Sequence, residues 1–403
     1  MKVLVIGAGG VGSAFTDLAA SSEAIESVVV ADIDQQRAKR AVARVQRPNF
    51  IAIELDASST PRIAEAARYH EVDYILNACD PRFVMPIFRA ALEAKVNYVD
   101  MAMSLSHPHP NQPYSKAGVL LGDEQFALAS EFEERGLLAL VGMGVEPGLS
   151  DVFARYAADE LFSHVDSFDV RDGANLQVDG FEFAPTFSIW TTIEECLNPP
   201  LLYERDRGHF TTVPFSEPET FCFPEGIGNV ECVNVEHEEV VLIPRYLDAG
   251  RVTFKYGLGD EFISVLKSIH KLGLDRIEPV QFRGHAVSPR DFLASLLPDP
   301  TTLGDKMTGK TCAGTWVQGL DKAGKQRSTY LYHVVDNEET MRRWGAQAVV
   351  WQTAINPLIA LELLESGTWS GSGVHGPEYF PAQGFLEGLV RHNSPWGMVE
   401  LKP

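Results

Sequence analysis

Between residues 1 and 145, apolar and polar positions fall into short blocks that change period in a regular way. Lys2–Ile6 is an apolar run with β-branched residues, the pattern of a parallel strand buried on both faces. Ser13–Ser21 has helical spacing, and Ser27–Ala31 is a second strand that ends in Asp32. Ala52–Asp56 reads as a third strand and Thr60–Tyr69 as a helix with Pro61 in its first turn. Val72–Ala78 is a fourth strand, Pro86–Ala94 a helix and Asn97–Asp100 a fifth strand. Glu124–Arg135 is a helix closed by Gly136, and Leu137–Val141 a sixth strand. Strands separated by helices imply right-handed crossovers and a doubly wound parallel sheet. Met101–Gly122 interrupts the rhythm; His107-Pro108-His109-Pro110 cannot be helical, so this is a loop at a strand's carboxyl end, either a lid or a plain surface loop.

The pattern changes beyond Gly142–Gly148. Asp151–Leu161 predicts a helix, while Ser167–Arg171, Val230–Ile243, Arg251–Tyr256 and the region Thr311–Val335 look like strands. Helices at Glu261–Leu272 and Pro289–Leu296 do not alternate with them, which predicts an α+β domain with a mainly antiparallel sheet. Pro199–Gly228, rich in Pro and Gly, reads as a long ordered connection. Arg342–Ser366 forms a helix kinked or broken at Pro357, and the Gly- and Pro-rich tail Gly371–Pro403 is expected to return to the first domain. The expected division is 1–147, 148–344 and 345–403, with an α/β fold class overall.

The turn after the first strand carries candidate chemistry. Gly7-Ala8-Gly9-Gly10-Val11-Gly12, between a strand and a helix and followed about 20 residues on by an acid, is the dinucleotide-binding pattern. Gly7 permits the tight turn, Gly9 lets backbone approach a pyrophosphate, and Gly12 lets the helix pack on the sheet. Asp32 would accept both ribose hydroxyls and repel a 2′-phosphate, which favours NAD; Arg37, Lys39 and Arg40 close behind leave NADP open.

Charge narrows the partners. With 34 basic and 55 acidic residues the net charge is −21, which argues against nucleic acid and anionic membrane as partners. An anionic substrate must therefore meet local cations. The five cysteines, Cys79, Cys196, Cys222, Cys232 and Cys312, are scattered without a C-x-x-C, so neither a disulfide framework nor a zinc site is expected. The first residues read as a folded strand and not as a signal peptide, and no apolar run approaches a membrane span, so a cytoplasmic protein is expected.

Several stretches together resemble the saccharopine dehydrogenase family, in the branch that includes lysine 6-dehydrogenases and carboxynorspermidine dehydrogenases. They are Val5–Gly12, Asn77-Ala78-Cys79 with Pro81, Tyr98-Val99-Asp100, Gly144-Val145-Glu146-Pro147-Gly148, Phe254-Lys255-Tyr256-Gly257, Val287–Asp291 and Gly373-Val374-His375-Gly376-Pro377-Glu378. The resemblance implies a Rossmann domain, a second domain with dimer and substrate contacts, and reversible hydride transfer at a carbon–nitrogen bond. It also implies a homodimer. Many relatives have Asp where Glu146 stands and Arg where Lys255 stands, and Lys lacks the bidentate fork of Arg.

Candidates for the chemistry follow. Asn77, Ala78 and Cys79 pass under the nicotinamide ribose, with Cys79 as packing against cofactor or as a thiol acid, and Asp56 near the adenine ribose or as a helix cap. Glu146 would take the amine proton or hold a cationic nitrogen; Asp100 and His237, the latter on a strand of the second domain, are the other proton carriers. Lys255 and Arg245 are the cations for a substrate carboxylate. Glu238 and Glu239 beside His237 fit no motif, and His107 and His109 are weak ligand evidence, so no metal is expected. The reading is an NAD(P)-dependent oxidoreductase acting on the CH–NH bond of a small amino-acid or amine substrate of saccharopine or lysine type. A carboxynorspermidine-type imine reductase and a non-catalytic NAD(H)-binding sensor are the alternatives.

Overall fold

The apolar run at the start of the chain becomes β1 (Lys2–Ile6), central to a sheet, in a computed structural model that describes residues 1–402; Pro403, the end of the predicted tail, lies outside the described residues. There follow α1 (Gly10–Ala19), β2 (Ser27–Asp32), α2 (Gln35–Ala43), β3 (Phe50–Glu54), α3 (Thr60–Tyr69), β4 (Tyr74–Asn77), α4 (Val84–Ala94), β5 (Asn97–Asp100) and β6 (Leu138–Leu140). All pair in parallel, in the order β6-β5-β4-β1-β2-β3. Val3–Val5 and Val28–Ala31 are buried on both faces of the sheet, which is why they read as unbroken apolar runs. The strand order reverses between β1 and β4, and ligands of open α/β sheets bind outside the carboxyl ends of the strands at such a point. The predicted helix Glu124–Arg135 is two short pieces, Asp123–Phe126 and Ala129–Glu134, separated by a tight turn in which Leu128 N–H bonds the Gln125 carbonyl.

The second layer begins with α5 (Leu149–Tyr156) and β7 (Phe162–Ala174). The predicted Asp151–Leu161 helix loses its α-helical form after Tyr156 and ends in a π turn, Ala157–Leu161. Next come α6 (Ile189–Leu197), β8 (Leu201–Glu204), β9 (Gly208–Thr211), β10 (Glu219–Phe223), β11 (Gly228–Asn234), α7 (Glu239–Tyr246), β12 (Arg251–Gly257), α8 (Asp260–Leu272) and α9 (Pro289–Leu296). After β13 (Lys310–Asp321) and β14 (Gln326–Asp336) come α10 (Asn337–Trp344), α11 (Ala348–Glu365), β15 (Gly373–His375), α12 (Gln383–Arg391) and β16 (Gly397–Glu400). The second sheet runs β9-β8-β12-β7-β13-β14-β16, with the β10–β11 hairpin joined at β12. Only β12–β7 is parallel, so the sheet is mainly antiparallel as expected.

Three expectations are corrected. Val230–Ile243 is not one strand: β11 stops at Asn234, and the apolar run Val240–Ile243 lies in helix α7, since a short apolar run buried on all sides has no period that tells strand from helix. Pro199–Gly228 is not a plain connection but carries three short strands, β8 to β10. Arg342–Ser366 breaks at Gly345, φ +62°, and α11 runs through Pro357. Burial on nearly every side holds α11 there, and Thr353 and Asn356 side chains bond the carbonyls of Val349 and Gln352.

The last third of the chain touches both layers. β15 adds to the first sheet beside β6, while β16 adds to the second beside β14. Between them α11 packs on α1, and its Gln352 bonds Thr311 of β13 (2.8 Å) and the His333 carbonyl of β14 (3.0 Å).

Candidate active-site cleft

The glycine turn is shaped as a cradle. Gly7 has φ +103°, and a Cβ there would lie 2.6 Å from the Ala78 carbonyl oxygen. A Cβ on Gly12 would run into the Gly7 carbonyl. Gly9 differs: nothing lies within 4 Å of where its Cβ would be, so the backbone there is open to a ligand. No side chain caps the first turn of α1, which leaves its N–H groups free for an anion. These features fit a dinucleotide pyrophosphate. Asp32, at the end of β2, accepts from the N–H groups of Ala8 and Asp34, both at 2.8 Å, and so also braces the turn. A cavity of about 530 Å³ beside it is lined by Gly9, Gly10 and Ser13 together with Arg37, Arg40 and Arg44, but not by Lys39. Gly12→Val is expected to abolish saturable NADH and NADPH binding in a fluorescence titration; retained affinity would contradict the cradle.

A larger cavity, about 630 Å³, opens between the strand ends of the first sheet and the inner face of the second. Val11, Asn77, Ala78 and Cys79 line its cofactor side. Asn77 accepts from Cys79 N–H (3.0 Å) and donates to the Tyr98 hydroxyl (3.1 Å). Burial pushes the Cys79 thiol up to about 12, so it is packing and not a thiolate.

The other side of the cavity is acidic. Asp80, Glu146, Asp172, Glu195, Glu238 and Asp299 line it, and among the described residues no Lys or Arg does. Phe187, Trp190 and Tyr256 add an aromatic wall. Glu146 arrives on the Gly144–Gly148 turn, where Gly148 at φ +134° comes so close to Gly144 that a Cβ would strike its carbonyl. Asp172 follows Phe168 and Val170 at period two on β7, and Glu195 comes from α6.

His237 sits in the turn before α7, not on a strand as expected. Its Nδ1 is 2.5 Å from Glu239 and 3.3 Å from Glu238, and its ring stacks on Phe254 at 3.8 Å and 9°. Nδ1 is thus engaged, which leaves Nε2 for a ligand in the cleft. Glu239 is anchored by Ser150 Oγ (2.8 Å), and Glu238 accepts from Met103 N–H (3.1 Å), which ties the Met101–Gly122 loop to the site. Donor atoms of His237, Glu238 and Glu239 lie within 4.8 Å of one another, but the close His237–Glu239 contact is that of an ion pair.

Burial sets the protonation. It works against the His237 imidazolium, yet Glu239 in contact and Glu238 nearby raise it to about 10. Burial raises Glu195 to about 8. Glu146 and Asp172 face each other; burial and then the Asp172 and Glu239 charges push Glu146 well up, while burial raises Asp172 to about 6 against its hydrogen bond with Glu146, so the pair holds a proton at neutral pH. Glu146 Oε1 has no hydrogen-bond donor among the described residues.

Asp100, Lys255 and Arg245 do not reach this cleft, and Asp56, expected near the adenine ribose or as a helix cap, is engaged in its own turn. Asp100 is buried with Oδ1 taken by Gly142 N–H and Oδ2 by Gln125 Nε2, each at 2.7 Å; burial lifts it to about 7, but its work is fastening the end of β5. Lys255 lies on the opposite face of β12 from Tyr256, because neighbouring strand residues alternate, and its Nζ is 2.7 Å from Glu219. The Arg245 guanidinium stacks 3.7 Å over Phe126. Asp56 accepts from Ser58 N–H and Oγ in a turn after β3, and Ser59 takes the helix-capping position. His109 Nδ1 is likewise occupied by backbone N–H groups of Asn111 and Gln112. Conversely, Asp172, Glu195 and Glu238 went unassigned. The Phe168, Val170, Asp172 alternation would have placed Asp172 on the buried face; Glu195 lies in a helix the sequence pattern did not reveal.

Comparison with known proteins agrees with this architecture. Residues 3–140 match the saccharopine dehydrogenase NADP binding domain, and residues 144–394 the saccharopine dehydrogenase C-terminal domain. The chain is 30% identical to carboxynorspermidine synthase of Vibrio alginolyticus over 100% of its own length and 98% of that protein. It is 27% identical to carboxyaminopropylagmatine dehydrogenase of Synechocystis sp., over 99% and 97%. Apo saccharopine dehydrogenase (L-Glu forming) from Saccharomyces cerevisiae shares the fold at TM-score 0.71 and 13% identity, with both chains fully covered. The chain belongs to the saccharopine dehydrogenase family and is an NAD(P)-dependent oxidoreductase acting at a CH–NH bond.

Proposed function

We propose that the cleft reduces the imine formed between a carboxyl-bearing aldehyde and a polycationic amine, yielding a carboxylated polyamine. One observation carries this: six carboxyls wall the cavity, no Lys or Arg among the described residues lines it, and of the six only Asp80 is paired with an arginine, Arg82 at 2.8 Å. Carboxyls that burial keeps protonated when the cleft is empty ionise against a cationic substrate, so the wall favours one with more than one positive charge, and the aromatic residues accept its methylenes and cationic ends. The names of the two curated relatives point to the same product class.

A bound reduced nicotinamide supplies the hydride. Glu146 and Asp172, which together retain a proton, hold the reacting nitrogen. His237, kept as an imidazolium by Glu239, gives its Nε2 proton to that nitrogen as the C–N double bond is reduced. Oxidation of a saccharopine- or lysine-type amine runs the same steps in reverse.

The test is reduced-nicotinamide absorbance with a carboxyl-bearing aldehyde and a panel of amines: 1,3-diaminopropane, putrescine, agmatine and propylamine. Diamines and agmatine are expected to turn over with kcat/KM at least ~10-fold above the monoamine, the worth of one well-placed ion pair. Equal use of propylamine, or turnover only of saccharopine or lysine with oxidised cofactor, would overturn the polyamine reading. Glu146→Gln with unchanged turnover at every pH would remove its role.

We also propose that the chain works as a homodimer in the cytoplasm. The family resemblance and the five unpaired cysteines support this, and no described helix is long and apolar enough to cross a membrane. Light scattering that gives 44.4 kDa, the mass of one chain, would overturn the dimer.

A further inference from the structure

The segment Gly373–Glu378 stands out in the sequence, yet Glu378 does not line the cleft. It sits in the single turn Pro377–Tyr379 after β15, fully buried, and neither of its carboxyl oxygens has a donor among the described residues. Facing it is Asp151, near the start of α5 and equally buried. Asp151 Oδ2 accepts from Gly148 N–H at 2.7 Å, while Oδ1 has no donor. Two bare carboxylates in contact in a dry interior repel each other and leave their lone pairs unsatisfied. One proton between them removes the repulsion and pairs one oxygen of each.

We propose that Asp151 and Glu378 share a single proton, and that this bridge positions the Gly144–Gly148 turn, and with it Glu146, against the C-terminal segment. The turn closes on itself through Gly144 N–H to the Pro147 carbonyl (2.7 Å) and Leu149 N–H to the Gly144 carbonyl (3.1 Å). Asp151 is its side-chain tether, and Glu378 holds Asp151 from β15's side. Glu378 also sits so close to Gly376 that a Cβ there would strike its carboxyl, which fixes it from behind.

The groups facing the pair are Glu239 and Tyr246 from α7 and Arg155 from α5; the rings of His375 and Tyr379, on either side of Glu378 in the chain, stack on each other. Arg155 bonds the Glu378 carbonyl at 3.2 Å and Asp159 at 2.7 Å, so it does not neutralise the pair. Burial first, then the mutual contact and Glu239, hold Asp151 well above the usual carboxylate range, and burial raises Glu378 to about 7. Carboxyls raised by folding add stability that is fully present below about pH 4 and is lost as pH rises through their folded values.

The proposal rests on the reading of Glu146 as a cleft residue, so its test separates the two. Melting temperature between about pH 5 and 9, and steady-state kinetics, are measured for the native chain, Glu378→Gln and Glu378→Ala. Glu378→Gln supplies a permanent donor to Asp151. It is expected to make the alkaline decline in Tm shallower than in the native chain and keep kcat within about 2-fold, whereas Glu378→Ala lowers kcat about 10-fold or more with cofactor KM unchanged. A Glu378→Gln variant that keeps the native Tm slope overturns the shared proton, and a Glu378→Ala variant with native kcat overturns the positioning role. Glu146→Gln with native turnover overturns the reading of Glu146 alone, because the Tm slope reads the bridge without it.

Discussion

His237→Gln is expected to lower kcat for imine reduction by about 10²- to 10³-fold while changing cofactor affinity little. The imidazole is the one group in the cleft whose ring nitrogens are sorted by the fold: Nδ1 is held by Glu239 at 2.5 Å and Phe254 fixes the ring plane at 9°. Gln fills similar space and can bond Glu239, but it carries no transferable proton. The pH profile separates proton donation from shape. With His237 raised to about 10, the native rate should hold through neutral pH and fall as pH rises through that value; the variant should lose that limb. The imidazolium's contribution to stability has the same sign. It is fully present below about pH 6.5 and is lost as pH rises through the folded value. Stopped-flow absorbance at 340 nm across pH checks the rate, and a variant that retains the native alkaline limb would show that the proton comes from another group.

Arg171→Met is expected to destabilise the protein by about 3 kcal/mol, the cost of opening a buried ion-pair network from one side. Arg171 is 2% exposed, with its guanidinium 2.5 Å from Glu219 and 3.1 Å from Thr253 Oγ1, while Thr253 holds Asp169 at 2.5 Å. Lys255 completes the group through Glu219. All of this lies on the face of the second sheet turned away from the cleft. Lys255→Met should therefore leave substrate KM unchanged while lowering the urea midpoint, although less than Arg171→Met does, since Glu219 is partly exposed and keeps Arg171. A large rise in KM for a carboxylate substrate would return Lys255 to the cleft.

Lys255 also shows where sequence reasoning stops. Its neighbour Tyr256 lines the cavity, and a strand sends adjacent side chains to opposite faces, so an error of one position reverses the role. The first sheet was legible almost strand by strand: β1 and β5, and helix α3, have the predicted limits, because local period and Gly or Pro punctuation decide them. The cofactor cradle was legible for the same reason, being contained in one short stretch. The acidic wall was not. Glu146, Asp172, Glu195 and Glu238 come from four separate segments, and only the packing of two sheets brings them together. Asp100 misled in the opposite way: a strand-end acid beside a cofactor site turned out to have both oxygens spent on backbone and Gln125.

The late return of the chain to its first sheet has a consequence for synthesis. During translation β6 emerges early, yet its outer edge is covered only when Gly373–His375 leave the ribosome, and α1 waits for α11, which emerges only shortly before them. In that interval the nascent chain presents an open strand edge beside an uncovered apolar helix face, a form prone to pairing with other chains. Completion of the cofactor domain thereby waits on the emergence of Gly373–His375, so a message truncated before residue 373 is expected to yield an aggregation-prone product and not a free-standing dinucleotide-binding domain.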